Sequence, residues 1–487
     1  MNYLLNRLTA MKKLYLLPLF FMSVVLNATD YNWAGLPTDT GNLNWSDFSN
    51  WDPIGAPASF DNVYFNDFTV SVGSGGSYNI QGLIEVNDLT IKNLVIPDPL
   101  RFFIYTAGDN PTINGNVYIG NIDTGAGGDW RTPNIKGSIY IKADSTTTQV
   151  NASQLTLGGT NTSGFFKSLS IGENAAVDAS TGYKTAVYLD ATYANAILEL
   201  AGANPAGDRS NWAVVHGVVK MNNSADGSKY ASLLIGRNEE IGKFKDSHVS
   251  IGGLSGTGRI STKLISDASN AATSHLTFTN AEGVNTVFNG YIARTNNTYK
   301  DNVAFIMDGA GTQTLSLSGN TAGVVGVTVK NGTLYYNNES SSGKLVMEGG
   351  KFGAVNGSAE FDSAVWSGGK ISYANHEAFP GGTPEMIIIN GEFEKASDGQ
   401  IAIDFEGLDA TDFIGDSFYL ISADTTKGFL DDANDDFVAE NLKNAIADFA
   451  WNGGTLQVTF NQVPEPAEIA VFIGALALIF AIRRRRK

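Results

Sequence analysis

Histidine is the commonest metal ligand in proteins and a frequent general base, so the spacing of histidines can indicate a metal site or a catalytic site. The chain has four histidines, which lie far apart: His216, His248, His275 and His376. No pair has the short spacing of a metal-binding motif, and there is no Gly-x-x-x-x-Gly-Lys phosphate loop. We therefore predict that these histidines are surface or turn residues and that the chain holds no metal and no cofactor.

Carboxylates cluster near the end of the chain, where their oxygens could bind Ca²⁺. The two clusters are DFEGLDATDFIGD (404–416) and DDANDDF (431–437). In the second, Asp432, Asn434 and Asp436 alternate as at the start of an EF-hand loop, but the glycine and final glutamate of that loop are missing. We predict solvated acidic faces. Paired carboxylates in a groove could also cleave glycosidic bonds, but the sequence locates no such pair, so we predict no catalytic residue.

Three tryptophans lie close together near the beginning of the chain. They occur in YNWAG (31–35) and NWSDFSNWDP (44–53), as Trp33, Trp45 and Trp51. Large aromatic side chains could cover the first open turn of a stacked β fold, whose unpaired edge would otherwise invite aggregation. Exposed tryptophan rings could instead stack on sugar rings. Both interpretations stay open, and we favour the cap.

The composition excludes several classes of function. The 487 residues have a formal net charge of −17, and eight of the basic residues lie in the first 28 and the last five positions. The acidic body between them would repel nucleic acid, so we predict no nucleic-acid partner. There is no cysteine, which excludes disulfides, thiolate metal sites and thiol catalysis.

Short alternating or β-branched runs that end in glycine or asparagine recur through the body of the chain. Alternation with period two is typical of half-buried strands, and the Gly/Asn endings indicate turns. Strands this short need stacked neighbours to bury their faces, as in a solenoid. We predict an all-β protein with an elongated parallel β-helix or solenoid-like body; stacked antiparallel sheets are the alternative. Examples are VYIGN (117–121), IYIKAD (139–144), LTLGG (155–159), VYLDA (187–191) and VTVKNG (327–332).

The predicted body has a cap at each end. We assign residues 29–110 to an N-terminal β cap with aromatic side chains, 111–383 to the solenoid repeats, and 384–461 to a small C-terminal α+β cap. The sequence DDFVAENLKNAIADFA has apolar residues at roughly helical spacing, which predicts a short helix before the last strand. These residues are Phe437, Leu442, Ile446 and Phe449.

The repeats from Ile251 onward resemble the autotransporter-associated β-strand repeat. The succession is a Gly-rich turn, a strand, an Asn-Thr-x-x-x-Gly segment, and a strand that ends in Asn-Gly. It includes IGGLSGTGRI (251–260), HLTFTNAEGVNTVFNGYI (275–292) and KLVMEGGKFGAV (344–355). The resemblance implies a β-helical stalk of the kind that bacterial surface proteins present. Because the last residues predict a helix and not a ladder of strands, we expect no outer-membrane barrel like that of a true autotransporter.

The beginning of the chain has the pattern of an export signal. Met11-Lys12-Lys13 precedes the apolar run LYLLPLFFMSVVL (14–26), and Ala28 provides a small residue for cleavage. We predict a signal peptide over residues 1–28. Translation could begin at Met1 or at Met11.

The last 25 residues, Val463–Lys487, resemble the PEP-CTERM sorting signal of Gram-negative bacteria. That signal consists of a Pro-Glu-Pro motif, an apolar segment and a terminal arginine cluster. The resemblance implies recognition and processing by an exosortase, a membrane protease, followed by release to the envelope or extracellular matrix. The implied recognition residues are Pro464, Glu465 and Pro466.

The apolar run 469–482 predicts a single C-terminal transmembrane helix that holds the chain temporarily at the inner membrane. It is short for a bilayer core of ~30 Å, which suits a temporary anchor. The basic cluster after it should stay cytoplasmic by the positive-inside rule and stop translocation. The cluster consists of Arg483, Arg484, Arg485, Arg486 and Lys487.

These features predict an exported, non-enzymatic structural or adhesive protein of the cell surface or extracellular matrix. One alternative is a protein that binds exopolysaccharide, with Trp33, Trp45 or Trp51 as the stacking surface. A less favoured alternative is a β-helix polysaccharide lyase or glycosidase. Exposed, coplanar tryptophans would favour the binding protein, whereas a compact group of carboxylates and bases in one groove would favour the enzyme.

Overall fold

A computed structural model describes most of the chain between Ala28 and Val463. The described residues are 28–34, 41–69, 77–81, 85–96, 101–105, 112–124, 129–130, 134–142, 152–157, 169–200, 211–237, 246–263, 273–293, 302–318, 323–338, 340, 342–355, 357–373 and 386–463.

The described chain is almost entirely β, as the sequence predicts, and its strands form parallel ladders along a coil. In the first part, each turn of the coil contributes one strand to each of three ladders. The first ladder contains β1 (Asp30–Trp33), β4 (Asn62–Thr69), β7 (Leu89–Ile96), β10 (Val117–Thr124), β13 (Ile139–Lys142), β16 (Thr185–Asp190), β19 (Val218–Asn222), β22 (Leu254–Gly256) and β25 (Asn285–Ile292).

The other two ladders follow the same three-strand period. The second contains β2 (Gly41–Asn44), β5 (Ser77–Gln81), β8 (Arg101–Tyr105), β11 (Asp129–Trp130), β14 (Ala152–Leu157), β17 (Asn195–Leu200), β20 (Ala231–Arg237) and β23 (Arg259–Lys263). The third contains β6 (Glu85–Val86), β9 (Thr112–Ile113), β12 (Asn134–Ile135), β15 (Leu169–Ile171), β18 (Asn211–Val215), β21 (Asp246–Ile251) and β24 (Thr273–Phe278).

The second ladder ends at Ile292, where β25 pairs with β23, and the first and third ladders continue. The next two strands are long enough to pair in both ladders. The shorter strands after them belong alternately to the third and to the first ladder. The remaining strands are β26 (Val303–Leu317), β27 (Val324–Asn337), β28 (Ser342–Met347), β29 (Lys351–Ala354), β30 (Ala359–Trp366), β31 (Lys370–Ser372), β32 (Ile387–Lys395), β33 (Ile401–Asp404), β34 (Ser417–Lys427), β35 (Phe437–Glu440), β36 (Ala445–Asn452) and β37 (Thr455–Gln462).

The core is built from columns of apolar side chains, because in-register parallel pairing places equivalent residues above one another. One column of the first ladder shows this directly, and each of its side chains is completely buried. Burial of such a side chain contributes roughly 1.5–3 kcal/mol, so the columns stabilise the coil along its length. The column consists of Val63, Leu89, Val117, Ile139, Val187, Val219 and Leu254.

The next position of the same strands faces outward and carries a stack of tyrosines. The rings of Tyr118 and Tyr140 have centroids 5.0 Å apart and are 9° from parallel. Those of Tyr140 and Tyr188 are 4.7 Å apart and 8° from parallel. These separations are close to the spacing of neighbouring strands, so the stack follows from strand pairing.

Both ends of the coil have antiparallel pairs. At the start, β3 (Trp51–Asp52) pairs antiparallel with β1. At the other end, β36 and β37 form an antiparallel hairpin, and β37 also pairs antiparallel with β34. Parallel pairing extends from β1 to β35, so it also occurs within 29–110 and 384–461, the segments that the sequence predicts as caps.

The helix predicted in the C-terminal cap is wrong. Within the described residues 386–463, the α-helical structure is a single turn, Ala433–Asp436, and the segment that follows forms β35 and β36. Asn441 and Asn444 have φ angles of 53° and 59°, in the left-handed region, and such residues interrupt a helix. Among the described residues, the other helical segments are the 3₁₀ turns Phe48–Asn50 and Thr411–Phe413.

The predicted transmembrane helix is also corrected. Across the described ranges of the chain, none of the helices is both long and apolar enough to cross a membrane. The segment 469–482, on which that prediction rested, lies outside the described residues, as do residues 1–27 of the predicted signal peptide.

Candidate functional site

A shallow groove runs across the first ladder in the later part of the coil, where β27, β29, β31 and β33 lie side by side. It is open to solvent and has a volume of about 530 Å³. Successive turns of the coil place equivalent residues of neighbouring strands side by side, so small residues and lysines recur along the groove. The lining residues are Gly332, Thr333, Gly349, Gly350, Lys351, Gly369, Lys370, Ala402 and Asp404.

The glycines of this groove are required where the coil bends. Gly332 has a φ angle of +61°, and a Cβ atom there would lie 2.2 Å from the carbonyl oxygen of Gly309 on the preceding turn. Gly350 and Gly369, on the next two turns, also have positive φ angles. The groove floor is therefore backbone, which a ligand can approach closely.

Lys351 lies at the centre of a polar network beside this floor. Its Nζ atom is 2.6 Å from Asp404 Oδ2 and 2.6 Å from Glu406 Oε1. Ser372 Oγ donates a hydrogen bond to Glu406 Oε1 at 2.8 Å, and the Tyr335 hydroxyl donates to the same oxygen at 3.3 Å. One ammonium group thus holds two carboxylates together.

Asp404 is buried and Glu406 has an unusual backbone conformation. Asp404 Oδ1 accepts hydrogen bonds from the backbone N–H of Glu406 at 2.9 Å and from Asn441 Nδ2 at 2.8 Å. Glu406 has a φ angle of 52°, which is uncommon for a residue with a side chain. The bond from its N–H to Asp404 fixes the Glu406 backbone, while the contacts with Lys351, Ser372 and Tyr335 hold its carboxylate.

The protonation states follow from these contacts. Burial acts to raise the pKa of Asp404, but hydrogen bonds from Lys351, Asn441 and the Glu406 N–H outweigh it and lower the pKa. Burial acts to lower the pKa of Lys351, but its hydrogen bonds to Asp404 and Glu406 outweigh it and raise the pKa. Burial, aided by the charge of Glu406, raises the pKa of Tyr335. At neutral pH Lys351 and Asp404 are therefore charged, and Tyr335 is neutral.

The three tryptophans come together at the start of the coil, and all are buried: Trp33 is 8% exposed, Trp45 4% and Trp51 1%. The ring of Trp51 packs edge to face against Trp33 at 4.8 Å and Trp45 at 4.6 Å. Its Nε1 donates a hydrogen bond to the Trp45 carbonyl oxygen at 2.8 Å. These buried, mutually tilted rings do not present the exposed coplanar faces that a sugar-stacking surface needs.

Two of the four histidines lie side by side. The rings of His248 on β21 and His275 on β24 are stacked, with centroids 4.7 Å apart and planes 5° from parallel. His216 Nε2 lies 3.0 Å from Ser170 Oγ, and His376 lies outside the described residues. In the described part of the chain, one group of metal-ligand side chains comes together, namely Asp246, His248 and His275.

Sequence reasoning missed this histidine pair, although the sequence contained a signal for it. The two strands share the frame Ser-His-apolar-polar-apolar, as SHVSI (247–251) and SHLTF (274–278). Aligning the repeats in this frame would have placed the histidines in register.

The second acidic cluster forms a structural contact. Asp432 Oδ1 accepts a hydrogen bond from the Asn434 backbone N–H at 3.0 Å and so caps the helical turn. The carboxylate of Asp436 forms an ion pair with Lys395. The structure thus directs Asp432 and Asp436 to different partners.

The predicted sorting residues lie outside the described residues. They are Pro464, Glu465, Pro466, Arg483, Arg484, Arg485, Arg486 and Lys487. Val463, which precedes them after β37, is exposed.

The structure thus defines an all-β protein built as a parallel coil. Neither a protein-family model nor a curated protein sequence matches the chain.

Proposed function

We propose that this chain is a non-enzymatic structural or adhesive protein that is exported and presented at the bacterial surface or in the extracellular matrix. The observation that carries the proposal is the parallel coil, which runs from β1 to β35 and is flanked by antiparallel pairs. A coil of this kind gives an extended, rigid scaffold whose repeats contact their neighbours. The acidic body would also keep such a scaffold soluble outside the cell.

The polar network at Lys351 supports a role without catalysis. A glycosidase needs two carboxylates that flank the scissile bond, with space between them for the sugar. Here Lys351 Nζ occupies the space between Asp404 and Glu406, at 2.6 Å from each. The carboxylates are engaged with the protein itself, which is the arrangement of a structural or binding site.

Sorting to the exterior rests on the resemblance of Val463–Lys487 to the PEP-CTERM signal. On this proposal an exosortase recognises Pro464, Glu465 and Pro466 and removes the residues that follow. The exposed position of Val463 at the end of β37 is compatible with access by a protease.

The test is to express the full chain in a Gram-negative host with and without a co-expressed exosortase, and to measure the intact mass of the protein in the culture fluid. We expect release that depends on the exosortase, with loss of the residues beyond about 466. Glu465→Gln should reduce release, whereas Glu468→Gln, three residues away, should leave it unchanged. Release that is independent of the enzyme, or a product that retains Arg483–Lys487, would refute the proposal.

A second candidate function is binding of an extracellular polysaccharide in the groove. It is favoured by the backbone floor at Gly332, Gly350 and Gly369, beside charged groups that can hydrogen-bond to hydroxyls. The buried tryptophans do not contribute to it. We expect exopolysaccharide in a native gel to retard the wild-type protein more than Lys351→Met. Lys427→Met, which changes an exposed lysine outside the groove, is the control; equal retardation of all three proteins would exclude the groove.

A further inference from the structure

The group Asp246, His248 and His275 has the layout of a three-ligand metal site on a sheet. Asp246 and His248 are two residues apart on β21, so their side chains leave the same face of the sheet. His275 is the direct register partner of His248 on the neighbouring strand β24. The potential ligand atoms of the three side chains all lie within 4.8 Å of one another.

The backbone that carries these ligands is held firmly. β21 and β24 pair over six consecutive positions, from Asp246↔Thr273 to Ile251↔Phe278. Val249 and Leu276, which follow the histidines, point into the core and are buried. The three ligand side chains themselves are partly buried on the outer face, where an ion from solution can reach them.

A further contact orients the carboxylate. Asp246 Oδ1 accepts a hydrogen bond at 2.9 Å from the backbone N–H of Thr273, which lies two residues before His275. Such bonds to a ligating carboxylate are a usual feature of metal sites, because they hold the ligand in place before the ion arrives. Here the bond ties the carboxylate to the strand that carries the second histidine.

The ligand set selects a class of ion. Two imidazole nitrogens and one carboxylate oxygen suit Zn²⁺ and similar divalent transition metals, whereas Ca²⁺ and Mg²⁺ prefer oxygen ligands alone.

We propose that Asp246, His248 and His275 bind one divalent transition-metal ion, with Zn²⁺ as the preferred ion. Bonds of about 2 Å to the metal require donor atoms within about 4 Å of one another. The stacked rings must therefore turn about their side-chain bonds so that the ion lies in the plane of each. Three protein ligands leave the fourth tetrahedral position for water or for a donor group of an external molecule.

The test is isothermal titration of the purified full chain, stripped of metal with a chelator, with Zn²⁺ alone at pH 7.5. We expect one site, with affinity at least about tenfold weaker in His275→Phe and in Asp246→Asn. Phenylalanine keeps a flat ring in the stack beside His248 but has no nitrogen ligand, so it separates loss of the site from loss of the fold. His216→Ala, a histidine outside the group, should bind Zn²⁺ like the wild type.

A spectroscopic measurement tests the same site without relying on calorimetry. Co²⁺ in a tetrahedral site with nitrogen and oxygen ligands should give visible absorption bands with the wild type, and these should be absent with His275→Phe. Circular dichroism should show the same β signal for all variants. Wild-type protein without saturable Zn²⁺ binding, or binding that His275→Phe and Asp246→Asn leave unchanged, would overturn the proposal.

Discussion

Among single residues, the ion pair between Lys395 and Asp436 should contribute strongly to the stability of the C-terminal end. Its two charged atoms are 2.6 Å apart, and the side chains are 4% and 0% exposed. Lys395→Met would leave the Asp436 carboxylate buried without its cation, at a cost of about 3–5 kcal/mol in the free energy of unfolding. Urea denaturation followed by tryptophan fluorescence would measure this loss, because Trp451 packs near Asp436 against Phe437.

Two variants provide the controls for this prediction. Lys427→Met removes the cation of an exposed pair with Glu394 and should change the urea midpoint little. Lys395→Met combined with Asp436→Asn should recover part of the loss, because no charge is then buried alone. If the single Lys395→Met variant unfolds at the wild-type urea concentration, the pair does not stabilise the fold.

The Asp404 carboxylate should make the free energy of unfolding of the protein depend on pH. Its pKa is lowered in the folded protein, so its stabilising contribution is present above the unfolded-state value, near 3.9. That contribution is lost as the pH falls through the lower, folded-state pKa. We therefore expect Asp404→Asn to unfold at less urea than the wild type at pH 6, with a smaller difference at pH 3. A difference that is the same at both pH values would contradict this.

Among structural elements, a bend of the coil and the turn of the C-terminal hairpin both depend on glycine, for two separable reasons. Gly332 and Gly453 have almost the same φ angle, +61° and +58°, but a Cβ at Gly332 would meet the Gly309 carbonyl oxygen, whereas a Cβ at Gly453 would meet nothing within 4 Å. Gly453→Ala should cost about 1–2 kcal/mol for the left-handed backbone. Gly332→Ala should cost clearly more, and urea midpoints would compare them. Equal losses of stability in the two variants would mean that the backbone around Gly332 shifts to accommodate the added methyl group.

The strands themselves could be predicted from the sequence, but their partners could not. Alternation in VYIGN and IYIKAD predicts two half-buried strands, and these lie in β10 and β13. Tyr140 pairs with Tyr118, 22 residues earlier, and with Tyr188, 48 residues later. Because the loops between the turns differ so much in length, no fixed period in the sequence indicates the register. The candidate metal site is an exception, because the shared frame of SHVSI and SHLTF indicates the register that places His275 beside His248.

The helix predicted in the C-terminal cap is wrong for a different reason. The four apolar residues Phe437, Leu442, Ile446 and Phe449 have roughly helical spacing, which predicted the helix. In the structure Phe437 and Phe449 face the core from separate strands, and Ile446 is exposed. Asn441 and Asn444 introduce left-handed turns that the apolar periodicity alone does not show. The tertiary pairing of β36 with β37 outweighs the local preference for a helix.

For the whole molecule, the antiparallel pairs matter because the last strands of a parallel coil would otherwise expose unpaired edges. At the C-terminal end, β37 pairs along β34 and β36 pairs with β37. Aromatic side chains of this hairpin also cover the core: Phe460 packs on Phe405 at 5.4 Å, and Phe449 on Phe437 at 5.9 Å. The hairpin thus closes both the ladder and the apolar interior.

Removal of this hairpin should convert the protein into a self-associating one. A chain that ends at Asn444 would expose the edge of β34 together with Phe405 and Phe437, and an open edge next to apolar surface pairs readily with other chains. A chain that ends at Val463 keeps the hairpin and is the matched control. We expect light scattering after size-exclusion chromatography to show concentration-dependent oligomers for the first chain and none of these for the second. Circular dichroism should show that both retain β structure. If the shorter chain stays at the same mass as the control, the hairpin is not what prevents the coils from pairing end to end.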